Sequence, residues 1–292
     1  MRTKNILPSI EDAFAAAISS NISQEYLTMP ATPPTVDRET FQKQLDELRV
    51  REKAHTREGD AIAAARRRLP MVEVDSNTPL VGAKGTVTLL DAFEGRTQLF
   101  ASYHMWHTGR PAADQCEGCT FNTGQALELS YLHERDVTFA VFCQGPFDES
   151  NRYREFMGWD NMPWYSVPQE SYARLALQRP HNFGMKACYL REGDRVFETY
   201  WTTGRGCEPM SGSYGMLDMT VYGRQEPWED SPEGWPKPYD GRGDQFRSEK
   251  GQTINTRQGI TGRPTPQWAR LAAGYDDNLG SNTTCTADQH CH

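Results

Sequence analysis

Cys116-Glu117-Gly118-Cys119 is the most specific chemical signal in the chain. Two intervening residues bring both sulfurs within reach of one another when the second cysteine opens a helix. A helix N-terminus presents unsatisfied N–H groups and the positive end of the dipole, and both favour thiolate over thiol. Cys116 then becomes nucleophilic near neutral pH and attacks a disulfide or another electrophilic sulfur. Cys119 resolves the mixed disulfide that results. Glu117 opposes ionisation by like-charge interaction, which would make the pair a weaker acid and a more reducing one. This reading expects neighbouring sulfurs that are open to solvent, with at least one readily ionised.

A second chemistry uses the same sulfurs. His104 and His107 lie just upstream of the cysteine loop. His104, Cys116 and Cys119 together would make a thiolate and imidazole set suited to copper or zinc, with Met105 as a further soft ligand. His104 can equally be a satisfied inner-face histidine, and His107 an exposed loop residue. No second CxxC and no H-x₃₋₅-H follows at suitable spacing, so a structural zinc site is not expected. Cys285, His290, Cys291 and His292 offer a terminal metal set, or simply a solvated end. Cys143 and Cys188 fall inside apolar runs and read as small core hydrophobes. Cys207, after Gly204-Arg205-Gly206, could serve as a third redox thiol. Arg205 could hold an anionic substrate group or form a structural ion pair. Trp106, Trp159, Trp164, Tyr165 and Trp201 could line a substrate groove or pack the core.

Composition narrows the setting. The 292-residue chain carries a formal net charge of -8, which argues against nucleic acid and anionic membranes as partners. No apolar run has the length of a membrane helix. Met1–Ile18 is interrupted by Pro8, Glu11 and Asp12 and makes a poor signal peptide. Seven scattered cysteines are an odd number and do not suggest a secreted disulfide framework. A cytoplasmic protein is the simplest expectation, and in a reducing compartment a close cysteine pair is more often redox-active or metal-binding than structural.

Elements that could position the cysteines are legible along the chain. Residues 1–34 read as a flexible leader ending in a Pro-rich stretch. Asp37–Arg68 predicts a long helix from its Glu, Gln, Lys, Arg, Leu and Ala content. Strands are expected at 71–74, 85–89 and 97–104. A helix is expected from Cys119 to Glu134, with 112–118 irregular. Val137–Cys143 is nearly all apolar and reads as a strand buried on both faces. A helix from Asp148 to about Met157 follows, then a short strand from Trp164 to Val167. Next comes a hairpin, 185–190 and 196–203, turning at Glu192-Gly193-Asp194. Asp218–Val221 is read as the last element. After Glu226 apolar periodicity disappears, and 227–292 reads as a Pro/Gly-rich arm and tail, disordered alone or laid over another subunit. The order is that of an α/β domain with its CxxC at a strand-to-helix junction.

Several motifs within about 36–226 resemble the DUF899 family: Arg51–Asp60 followed by Ala64–Val72, Leu90–Leu99 leading to Tyr103–Trp106, the cysteine pair, Arg135–Thr138, Thr199-Tyr200 with Gly204–Gly206, and Leu217–Thr220 with Gly223–Glu226. The resemblance implies a thioredoxin-like fold over 35–226 with an added N-terminal helix, and the CxxC as the centre of a dithiol-disulfide oxidoreductase. Family members usually carry Pro-Gly between the cysteines where this chain has Glu117-Gly118, and His where it has Glu198. Thioredoxin-like proteins place a cis-proline beside the CxxC, and Pro180 is the nearest candidate here. The expected activity needs no cofactor. Its alternatives are copper held by His104, Cys116 and Cys119, or a non-redox ligand-binding module. A thiol, a disulfide or a small molecule is the expected substrate, with Trp106, Glu117 and Arg205 as its contacts. The terminal arms would build a homo-oligomer.

Overall fold

The computed structural model describes residues 31–126, 128–177, 184–239, 244–249, 252–253 and 262–280. Pro180, His181 and the terminal Cys285, His290, Cys291 and His292 lie outside them, as does the leader up to residue 30. The chain divides into two compact units. In the smaller, 31–35 joins Asp230–Pro236, and the Ala31 N–H donates to the Gly234 carbonyl at 3.3 Å. The larger holds everything described below.

It opens with the helix Arg38–Arg66, started by Asp37, whose carboxylate accepts the Thr40 N–H at 2.8 Å. No residue of this helix is buried. The strands follow as β1 (Val72–Val74), β2 (Pro79–Gly82), β3 (Gly85–Thr88), β4 (Gln98–His104), β5 (Val137–Cys143), β6 (Trp164–Ser166), β7 (Lys186–Glu192) and β8 (Arg195–Thr202). They form one mixed sheet in the order β1-β8-β7-β4-β5-β6-β2-β3. Strands β4, β5 and β6 run parallel, and the β7–β8 hairpin lies antiparallel beside β4. Helices Glu117–Gly124, Ser130–His133 and Phe147–Met157 supply the crossovers.

The sheet separates two apolar layers. On β5, Ala140 and Phe142 enter one cluster while Phe139, Val141 and Cys143 enter the other. That two-sided burial is why the segment is apolar without alternation. Leu99, Ala101 and Tyr103 of β4 face the first layer. Ser102 and His104, the intervening residues, are buried on the opposite face, towards the cysteines.

Three differences from the sequence reading stand out. The single helix expected over 119–134 is two helices, because the chain leaves the first at Gly124 and buries Leu129 in the second apolar layer. Strand β2 gave no signal in the sequence. It has only four residues and begins with Pro79, a position a strand tolerates. Past Glu226, where no regular element was legible, the larger unit contains β9 (Arg247–Glu249), β10 (Gln252–Thr253), β11 (Arg263–Pro264) and the helix Gln267–Ala272. These elements are too short to show a period.

Candidate active site: a buried dithiol under a C-terminal strap

Strand β4 ends at His104, and the chain loops through 105–116 before the helix Glu117–Gly124. Cys116 is the N-cap of that helix, and its Sγ accepts the Cys119 N–H at 3.3 Å. Ser, Thr, Asp or Asn usually fills that role with an oxygen. Cys119 lies one turn on, and its Sγ accepts the Met105 N–H at 3.3 Å. Both cysteines are free thiols. The sequence expectation of solvent-open sulfurs is corrected here: Cys116 is 6% exposed and Cys119 5%. Cys116 nevertheless lines a cavity of about 400 Å³, together with Arg110, Asp114, Glu117 and Arg247.

The readily ionised sulfur of the pair is Cys119, where Cys116 was expected. The Cys119 thiol is held below its ordinary value by a hydrogen bond from the Cys116 thiol, helped by the Lys186 charge and the Met105 N–H, against the cost of burial. The Cys116 thiol is raised by that same hydrogen bond with Cys119, then by burial and by the charge on Cys119. A dithiol that has lost one proton thus keeps the other on Cys116 and the negative charge on Cys119.

Lys186 is the residue that reading the sequence missed. It opens β7, it is 4% exposed, and its ammonium donates to Ser102 Oγ at 2.9 Å on the neighbouring strand. Burial lowers its pKa, while Cys119, Cys207 and Cys116 oppose that shift. A lysine heading the otherwise apolar run Met185–Leu190 is the signal that could have revealed it. Buried lysines are rare unless paired.

The loop is pinned from within and from far along the chain. Gln115, fully buried, accepts the His107 N–H at 3.0 Å and donates to the carbonyls of His107 and Arg110. Arg247 on β9 donates to the carbonyls of Ala113 and Gln115, and its guanidinium pairs with Glu117 at 3.1 Å. Glu117 raises the Cys116 thiol, the direction expected of a like charge, while its carboxylate is paired with an arginine 130 residues along the chain. Gln267 donates to the Ala112 carbonyl and to Tyr153 Oη, both at 2.8 Å. Tyr153 Oη in turn meets Thr120 Oγ1, whose hydroxyl donates to the Cys116 carbonyl. Arg247 and Gln267, in the segment read as an arm disordered alone or laid over another subunit, are thus hydrogen-bonded to the cysteine loop of their own chain.

The remaining candidates lie elsewhere. His104 is fully buried among the rings of Trp106, Tyr153, Trp159 and Trp164. Its Nδ1 meets Thr123 Oγ1 at 3.2 Å, and its Nε2 has no partner. Among the described residues no three His, Cys, Asp or Glu side chains are grouped to hold a metal ion, so His104, Cys116 and Cys119 do not form the copper set envisaged above. Trp106 is buried with its indole N–H on Glu149 Oε1 at 3.1 Å. It is not among the residues lining the dithiol cavity. Arg205 is paired with Glu208, stacks at 4.0 Å over Trp228, and lines a separate cavity with Cys207. Cys207 faces the Gly184 carbonyl at 3.6 Å, and burial raises its thiol. Burial also pushes Cys143 up to about 12 and Cys188 up to about 11.

His104 makes stability depend on pH. Burial, and secondarily the Lys186 charge, lowers its pKa from 6.5 to about 3. Between those values the unfolded chain binds a proton that the folded chain does not. Its contribution is therefore complete above pH 6.5 and is lost on acidification towards pH 3. Urea unfolding should show a loss of about 2 kcal/mol from this group between pH 7 and pH 5. His104→Phe should remove that component of the slope, and an unchanged slope would refute the assignment.

The fold and site define a mixed α/β protein with a thiol pair at a helix N-terminus beneath a strap from its own C-terminal region. The chain belongs to the DUF899 family, bacterial proteins of unknown function, whose sequence profile matches residues 30–241. No curated protein matches the chain. Among solved structures, a protein of Aquifex aeolicus VF5 with a supposed role in electron transfer aligns with 48% of this chain and 97% of its own. The two share 15% identity with a TM-score of 0.31. No helix among the described residues is long and apolar enough to cross a membrane.

Proposed function

We propose that this protein is a thiol–disulfide oxidoreductase of thioredoxin-like type. The observation that carries the reading is the sulfur pair itself. Cys116 Sγ caps the helix and faces a cavity, while Cys119 Sγ, ionised more easily, lies directly behind it. The central β4–β5–β6 strands, the adjoining β7–β8 hairpin and the helix entered from β4 through the cysteine loop are compatible with a thioredoxin-like core.

Cys116 is the attacking sulfur because it borders the cavity. Its proton passes to the Cys119 thiolate, to which it is already hydrogen-bonded. Cys119 then passes that proton to the departing thiolate and attacks Cys116 Sγ, forming the Cys116–Cys119 bond and breaking the bond to the substrate sulfur. Lys186 stabilises the charge on Cys119, and Glu117 helps to keep the proton on Cys116.

Equilibration in buffers of graded reduction potential, followed by alkylation and mass measurement, tests the reading. The expected result is one two-electron transition joining Cys116 to Cys119, with Cys143, Cys188 and Cys207 unaffected. Absence of that bond under every oxidising condition would overturn it.

A further inference from the structure

The cavity beside Cys116 carries charges that dithiol chemistry itself does not use. Arg247 and Glu117 are paired with one another. Arg110 and Asp114 line the same cavity, are both exposed, and make no ion pair with any described residue. One unpaired cation and one unpaired anion therefore flank the reactive sulfur. The volume of about 400 Å³ suits a small molecule, since ligand sites fall at roughly 300–1,000 Å³. The cavity is open, but the sulfur sits at its floor: Cys116 is only 6% exposed, its loop is tied down by Arg247, and Phe246 approaches Gly118. A folded protein would have to bring a disulfide and its backbone past this strap.

We infer that the substrate is a small zwitterionic disulfide, of the kind formed by amino acids or short peptides, with Arg110 taking its carboxylate and Asp114 its ammonium group. This rests on the dithiol reading above and specifies its substrate. Cys116 Sγ attacks one substrate sulfur, forming the Cys116–substrate disulfide and releasing the first thiol. Cys119 Sγ attacks Cys116 Sγ, closing the Cys116–Cys119 bond and releasing the second. Two electrons pass from the protein dithiol to the substrate disulfide; the one proton held by the Cys116–Cys119 pair leaves on the first product thiol, and the second product leaves as a thiolate that solvent protonates.

The test uses the pre-reduced full chain in single-turnover reactions with three probes: glutathione disulfide, the uncharged 2-hydroxyethyl disulfide, and insulin. Glutathione disulfide should react about tenfold faster than the uncharged probe at low salt, with the ratio shrinking as salt rises. Insulin should be the slowest of the three. Arg110→Glu should collapse the ratio between the two small probes. Equal rates for those probes, an unchanged ratio in Arg110→Glu, or fastest reduction of insulin would overturn the substrate assignment while leaving the dithiol reading intact. Failure of all three probes to oxidise the pair would refute the dithiol reading, and this inference with it.

Discussion

Cys119→Ser should accumulate a stable mixed disulfide on Cys116 when offered a small disulfide, whereas Cys116→Ser should form essentially none. The rate of adduct formation in Cys116→Ser should fall by roughly a thousandfold or more, as expected when a nucleophile is removed. The asymmetry is informative because acidity alone predicts the reverse. Cys119 is the sulfur held below its ordinary pKa, yet Cys116 is the one that lines the cavity. Access therefore selects the nucleophile and acidity selects its base. Intact-protein mass spectra after quenching distinguish the two. Adduct on Cys119 in Cys116→Ser, formed at the parent rate, would reverse the roles assigned here.

Lys186→Met should lower reactivity and preserve or increase stability. Lys186 is a buried cation whose charge favours the Cys119 thiolate. Removing it raises the pKa of the pair, so the pH–rate profile moves to higher pH. A displacement of about one pH unit would slow the reaction about tenfold near neutrality. The same change removes the cost of burying an ammonium whose hydrogen-bond partner is Ser102 Oγ, so stability measured below the thiol pKa, where the dithiol is neutral, should not fall. A profile that stays in place, with stability falling, would show Lys186 to be structural alone.

These two residues illustrate how the site is assembled. The helix start supplies the Cys119 N–H to Cys116, and the end of β4 supplies the Met105 N–H to Cys119. Strand β7 delivers Lys186 because its register sets that residue opposite Ser102. The segment after Glu226 delivers Arg247 and Gln267 to the loop backbone. Each contribution comes from a different element.

Local chemistry was readable from the residue order alone. The long helix, β4, β5 and the β7–β8 hairpin announce themselves through propensity, apolar runs and turn residues, because those signals arise between near neighbours in the chain. The pairing of Cys116 with Cys119 belongs to the same class, since one helical turn joins them. Exposure, charge and access were not readable. Whether the sulfurs face water depends on what packs over them, and Arg247 arrives from 130 residues away. Which sulfur carries the charge depends on Lys186, brought beside the pair by strand register. The fate of His104 likewise follows from four aromatic rings gathered from separate elements. Burial and long-range electrostatics are set by the three-dimensional neighbourhood of a residue, and neighbours of that kind leave no pattern along a single chain.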